Sequence, residues 1–294
     1  MKIVIATLLA AAVALPATAA GGHHRYRTAD YPGAQNTQIY ALNDARQFVG
    51  SEQAADGLWH AVFDDGSGLA TLDLSPLGAD VTHSFAFSIN TQADIAGTFK
   101  NTTGYHGFLR HADGSFEVID YPGGHDTQDF GVNDHGEVIG MYTDANDVVH
   151  AFRRLGGVLS NIDLPDAVET VPFSVNNAGQ IAGEMIKTDG TAGYGYVQRA
   201  DGSFELFSHP AAPPESTFFI SINNRGEILG AYLDADGAQH NFLRRGSKYL
   251  PVGLPPSFGA SYTSAQTIND GDDVVGFYQD ADGVSHGVTA FDKP

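Results

Sequence analysis

The stretch TQDFGVNDHGEVIGMYTDANDVVHAFRRLGGVLSNIDLP, residues 127–165, reads as four short β-runs separated by turns. Gln128 to Val132 alternates and stops at Asn133-Asp134-His135-Gly136, where Asn, Asp and Gly favour a tight turn. Glu137 to Tyr142 makes a second run, Thr143 to Asp147 turns again, Val148 to Arg153 is a third, and Val158 to Asp163 a fourth. Four short antiparallel strands in one unit make a propeller blade.

The same phrase returns six times, marked by Asn43, Asn90, Asn133, Asn176, Asn223 and Asn269, at spacings of 47, 43, 43, 47 and 46 residues. A fixed period in that range is the signature of stacked supersecondary units. No helical apolar spacing interrupts the series after the first twenty residues, so the expected fold is all-β: a six-bladed β-propeller of four-stranded antiparallel blades. Repeats begin near residues 37, 84, 127, 170, 217 and 263. The last unit has three strands (Thr263 to Asn269, Asp273 to Tyr278, Ser285 to Phe291) and then ends. Its missing fourth strand stands at the other end of the chain, where Tyr26 to Thr37 repeats the pattern of Phe116 to Thr127. An N-terminal strand that completes the final blade removes the exposed edges an open array would leave.

Residues 1–19 carry one cation, Lys2, an apolar run from Ile3 to Leu15, and small residues placed for cleavage, which reads as a secretory signal. A flexible leader over 20–25 and a single domain over 26–294 follow, and the expected location is the periplasm or the medium of a bacterium. There is no Cys, so a disulfide framework and thiol catalysis are both excluded. With 15 basic against 35 acidic residues and a net charge of −20, the surface repels phosphate backbones and anionic lipid. Nucleic acid and membrane insertion are thereby set aside, and a monomer binding a glycan, peptide or small molecule is expected.

The third run of the unit opens on His150-Ala151-Phe152, with the variants His60-Ala61-Val62, His106-Gly107-Phe108, His240-Asn241-Phe242 and His286-Gly287-Val288. Together with phrases such as Ile222-Asn223-Asn224-Arg225-Gly226-Glu227, this resembles the HAF-type extracellular repeat family. The resemblance covers essentially the whole mature chain and implies an exported repeat protein, with no activity to carry over. The fourth unit departs from it, with Tyr194 where the others have His.

Five histidines recurring once per blade are expected to bond the neighbouring strand or turn, because ring symmetry keeps them apart. Asp234-Ala235-Asp236-Gly237 and Asp280-Ala281-Asp282-Gly283 resemble the start of a calcium loop but lack its third acidic position and distal Glu, so turn chemistry is expected at Asp234, Asp236, Asp280 and Asp282. Cleavage after Ala20 would expose Gly21-Gly22-His23, a Cu(II)-type nitrogen ligand set. No cofactor is expected; a divalent cation is the alternative. No nucleophile elbow, His-Glu-x-x-His, phosphate loop or dinucleotide fingerprint is present.

Positions alike in all six units serve the blade, and positions that differ are free to serve a ligand. Seven residues before each Asn stand Asn36, His83, Asp126, Glu169, Ser216 and Tyr262; five before stand Gln38, Phe85, Gln128, Val171, Phe218 and Ser264. Both sets differ from blade to blade, and both are expected at one mouth of the channel. His83, Asp126 and Glu169 are the candidate catalytic cluster, able to serve acid–base chemistry or hold a cation. The expected function is an exported binding module with a ligand at that mouth. The alternatives are a hydrolase or lyase acting on a carbohydrate or lactone through the cluster, and a structural matrix protein.

Overall fold

The computed structural model describes residues 24–187 and 193–291. The expected signal, residues 1–19, and the Gly21-Gly22-His23 motif lie outside the described residues. The described residues form six four-stranded antiparallel sheets in a ring, a β-propeller. Blade III is built from His125–Val132, Val138–Thr143, Val149–Leu155 and Val158–Asn161, close to the runs read from the sequence. The other innermost strands are Asn36–Leu42 (blade I), His83–Ile89 (II), Glu169–Val175 (IV), Thr217–Ile222 (V) and Tyr262–Ile268 (VI). Blade VI continues through Val274–Gln279 and Ser285–Phe291 and is completed by Arg25–Thr28, whose Tyr26 pairs with Ala290 and Thr28 with Val288. The ring is closed by one N-terminal strand and three C-terminal strands, as expected.

The core lies between blades. Each second strand carries a Gly paired with the third residue of the His-x-aromatic phrase: Gly97 with Phe108, Gly140 with Phe152, Gly183 with Tyr196, Gly230 with Phe242. The ring lies on the glycine, so a Cβ at Gly97 would stand 2.6 Å from Phe108 Cζ, and at Gly140 2.9 Å from Phe152 Cε1. Gly inside a strand marks such a close approach. Phe108 then packs against Val49 and Ala61 of blade I, and Phe152 against Leu109 and Ile119 of blade II, so each aromatic fills the gap toward the preceding blade.

Every innermost strand also slips register three residues before its Asn, a single-residue β-bulge at Tyr40, Phe87, Phe130, Phe173, Ile220 or Gln266, and that of blade III slips a second time between His125 and Gln128. A bulge inserts one residue, so the in–out alternation counted along the strand changes phase there.

The six marker asparagines end these strands and are buried. Each Nδ2 donates to the backbone carbonyl of the next: Asn43 to Asn90 (3.0 Å), Asn90 to Asn133 (3.2 Å), Asn133 to Asn176 (2.9 Å), Asn176 to Asn223 (3.1 Å), Asn223 to Asn269 (3.2 Å) and Asn269 back to Asn43 (3.2 Å). The second Nδ2 hydrogen goes to the side chain four residues on, in turn Gln47, Asp94, Glu137, Gln180, Glu227 and Asp273. Meanwhile Oδ1 accepts the N–H groups of its own turn, as Asn133 does from His135 and Glu137. Buried amides with all their capacity used hold a specific geometry. The Asn turn was expected; the closed ring of bonds is an addition from the structure.

Candidate functional site

At the Asn end the channel opens into a funnel of about 150 Å³ to which all six blades contribute. Its floor is the row of bulge residues. Tyr40, Phe87, Phe130 and Phe173, from four successive blades, run ring against ring with centroids 5.2, 5.4 and 6.3 Å apart, and Ile220 and Gln266 complete the circle. The bulge turns these side chains inward, and the aromatic half-circle narrows the channel beneath the funnel.

The rim is made by the residue after each marker Asn: Asp44, Thr91, Asp134, Asn177, Asn224 and Asp270. Their side chains are stitched together by backbone donors. Thr91 N donates to Asp134 Oδ1 (2.8 Å), Asp134 N to Asn177 Oδ1 (2.9 Å), Asn177 N to Asn224 Oδ1 (2.8 Å), Asn224 N to Asp270 Oδ1 (2.9 Å) and Asp270 N to Asp44 Oδ1 (2.9 Å). Thr91, with a single short hydroxyl, stands opposite Asp44 at the remaining junction. Burial pushes the Asp44 carboxyl up, and the Asp270 and Asp134 charges add to this although the Asp270 N–H opposes it. Asp134 is held below its ordinary value because bonds from Asn177 and Thr91 outweigh its burial. The rim therefore presents fixed carboxylate, amide and hydroxyl groups above an aromatic floor.

The divergent residues expected at a channel mouth stand at the opposite end of the inner strands. In five of the six blades the residue seven before the Asn reaches the preceding blade, beside the start of its third strand. Asn36 Oδ1 accepts Ser285 N (2.7 Å), His83 Nδ1 accepts Trp59 N (3.2 Å), Asp126 Oδ1 accepts Tyr105 N (3.0 Å), Tyr262 OH donates to Gln239 Oε1 (3.3 Å), and Ser216 pairs with Gly193. The structure does not gather His83, Asp126 and Glu169 into one cluster: His83 faces the junction with blade I and Asp126 the junction with blade II, and no metal-competent group of three His, Asp or Glu occurs among the described residues. Glu169 instead faces Glu184, whose carboxyl is pushed up to about 7 by burial and then by the Glu169 charge.

The residues five before the Asn share a strand face with the floor, as side chains two apart do. Gln38 Oε1 accepts the Tyr40 hydroxyl (2.7 Å), Phe85 stacks on Phe87 (5.8 Å), Ser264 Oγ accepts Gln266 Nε2 (2.7 Å), and Val171 packs with Phe130. Gln128 and Phe218 are buried. The floor residues themselves, three before each Asn, were missed by the sequence reading. They too differ between units, but simple alternation counted across the bulge does not place them.

Four of the five third-strand histidines, His106, His150, His240 and His286, bond neighbouring strands and turns, as expected. His150 Nδ1 lies 2.6 Å from Asp163 and its Nε2 3.5 Å from Asp144; His240 Nε2 lies 2.7 Å from Asp234; His106 Nδ1 lies 3.0 Å from Asp120. The same four stack on an aromatic of the second strand, as His150 does on Tyr142 (5.3 Å), whereas His60 stands across from Glu52. Asp234 accepts the N–H groups of Asp236 and Ala238, and Asp280 those of Asp282 and Val284, which is turn chemistry. Asp236 and Asp282 are exposed.

No protein-family model and no curated relative matches the chain. Solved structures do match in fold. AofleA from Arthrobotrys oligospora superposes with a TM-score of 0.56 at 15% identity over 92% of this chain and 88% of that one. The lectin of Aleuria aurantia, a six-bladed β-propeller with a fucose recognition mode, gives 0.52 at 11% identity over 90% and 93%. Virginiamycin B lyase from Staphylococcus aureus gives 0.51 at 10% identity over 92% and 100%. At these identities the likeness is one of fold.

Proposed function

We propose that this chain is an exported β-propeller that recognises a glycan at the Asn-side mouth of its central channel. The observation that carries the reading is the funnel: a ring of carboxylate, amide and hydroxyl groups over four aromatic rings. Sugar hydroxyls both donate and accept, which suits a rim of mixed Asp, Asn and Thr. The apolar C–H face of a pyranose suits an aromatic floor, as in other pockets where apolar walls carry a few fixed polar groups. A net charge of −20 favours a neutral or cationic ligand over an anionic one. The fold likeness to propeller lectins supports the same reading, and the leader and the HAF-type repeats support export.

The test is a glycan array followed by calorimetry on the ligand it selects. Phe87→Ala, which removes one floor ring, and Asn224→Ala, on the rim, should each weaken binding at least tenfold. Glu169→Gln, at the far end of the inner strands, should not. Failure of every array glycan, or loss of binding through Glu169→Gln alone, would overturn the proposal.

One observation favours a second reading, an enzyme acting through Glu169. Paired carboxyls with separated proton affinities are the means by which acid and base roles are divided, and Glu184 keeps a proton near neutral pH beside Glu169. On that reading Glu184→Gln abolishes turnover of a carbohydrate or lactone while leaving glycan binding intact.

A further inference from the structure

Blade VI breaks the packing rule of its neighbours at three places at once. Four residues before the marker Asn, where blade V has Phe219, it has Ala265; where blades II to V place Phe108, Phe152, Tyr196 and Phe242 it has Val288; two residues further on, at the position that Arg244 holds in blade V, it has Ala290. Blade I also has a valine, Val62, but Ile39 fills its junction, with Cγ1 2.8 Å from where a Gly287 Cβ would stand. The atoms nearest a Cβ at Gly276 are backbone atoms of Ser264 and Ala265 rather than a ring. The result is a cleft of about 360 Å³ between blades V and VI.

Its walls are largely apolar, with Leu243, Leu250 and Val252 of blade V facing Ala265, Val288 and Ala290 of blade VI. His24 and Tyr26 of the N-terminal segment also line it, and the polar side chains of Asn241 and Arg245 are engaged within the protein. Asn241 Nδ2 donates to Thr263 O (2.9 Å), and Arg245 Nη2 donates to Asp272 Oδ1 (2.5 Å), with Arg245 Nε also 2.9 Å from Glu227. A sugar here would leave hydroxyls unpaired against aliphatic walls, which is costly. A hydrocarbon ring would not. An apolar cavity of about 150 Å³ is enough to take benzene, so this one has room for roughly two fused rings.

We propose that the cleft between blades V and VI binds a small neutral aromatic molecule of one or two rings, seated where the other blades place their own Phe or Tyr. This site is independent of the glycan reading, since none of the funnel's floor or rim residues lines it.

The probe is 2-naphthol, titrated into the mature protein by calorimetry. Saturable binding of one molecule per chain is expected. Val288→Phe, which restores the ring that blades II, III and V carry, should weaken it at least tenfold while the melting temperature holds or rises. Ala290→Leu, a smaller filling two residues further along the same strand, should weaken it in the same direction and serves if the first variant folds poorly. Phe87→Ala in the funnel should leave it unchanged. The proposal is overturned by non-saturable uptake, by undiminished binding in both folded filled variants, or by loss through Phe87→Ala. Binding seen only in a chain that starts at His24 would also overturn it, by assigning the cleft to the chain's own N-terminal residues.

Discussion

Asp30 and His286, 256 residues apart in sequence, stand 2.8 Å from each other across the closure of the ring. Asp30 Oδ1 also accepts the backbone N–H of Gly287 (3.1 Å), so one carboxylate fixes the strand Arg25–Thr28 to its neighbour by side chain and main chain together. His286 is held from its other nitrogen by Asp280 (3.4 Å) and stacks on Tyr278 (5.0 Å).

Closure is therefore testable in two grades. Asp30→Ala removes a partly exposed ion pair and one backbone acceptor, a loss of about 1 kcal/mol, or a few degrees in a domain of this size. Deleting residues 20–36 removes the whole fourth strand of blade VI and bares an edge, so the melting temperature should fall much further and aggregation rise. A truncated chain that melts with the chain of residues 20–294 would contradict one-plus-three closure.

The stability contributed by His150, His286 and Glu184 should decline as pH rises from about 5.5 to 8, while His83 and His209, lowered chiefly by burial, act in the opposite direction. His150 is raised above its ordinary value, chiefly by the bond from Asp163. For His286, burial opposes the charge but the bonds to Asp30 and Asp280 outweigh it, and it too is raised. A group that holds its proton more tightly when folded stabilises fully below its unfolded pKa, and that contribution is lost as pH rises through the folded one. Glu184, at about 7 against an ordinary 4.5, acts in the same direction. Melting curves across this range should show the decline, and a His150→Gln/Glu184→Gln variant should flatten it. A melting temperature that rises toward pH 8 would refute these assignments.

Much of this was legible in the chain because some repeat columns answer to the blade alone. The Asn column, the His column and the strand displaced to the N-terminus each report local or cyclic structure, and symmetry extends one copy to six. What escaped the sequence was phase. The bulge at Tyr40 and its five counterparts inserts one residue, so Ile39 and Leu42, three apart, pack in the same cluster with Val275 of blade VI. Counting back from the Asn by twos crosses that insertion, and the inward direction of Phe87 or Phe173 is not recoverable from alternation. The ring of Asn side-chain bonds was hidden for another reason: its partners are carbonyl groups one blade away, which carry no residue identity.

That ring should be a principal source of stability. Asn133→Ala removes the donors to Asn176 O and Glu137, and strips His135 N and Glu137 N of their acceptor at a site that is 3% exposed. One buried donor, one partly buried donor and one carbonyl left without partners cost on the order of 3 kcal/mol, about ten degrees for a chain of this size. Denaturant unfolding measures it directly. Asn177→Ala, on the exposed rim, is the control and should cost far less. Equal losses from the two variants would show that the inner ring has no special weight.

The last expectation concerns how neighbouring blades share volume. Where the residue after the third-strand His, or after Tyr194 in blade IV, is small, the next blade's inner strand supplies a larger side chain: Gly107 faces Asp129, Gly195 faces Phe219 and Gly287 faces Ile39, whereas Ala61 is matched by Ala86. Asp129 is fully buried, neither carboxylate oxygen has a hydrogen-bond partner among the described residues, and burial followed by the Asp120 charge raises it well above its ordinary value. A Cβ at Gly107 would stand 2.4 Å from Asp129 Oδ1, so Gly107→Ala should overpack the junction at a cost of about 2 kcal/mol. Asp129→Ala exchanges packing for relief of an unpaired buried acid and should cost less. The double variant recreates the Ala61–Ala86 pair, so its cost should fall below the sum of the two by more than about 1 kcal/mol, as for residues in direct contact. If instead the two effects add to within about 0.5 kcal/mol, the side chains do not share the space, and the complementarity between blades is incidental.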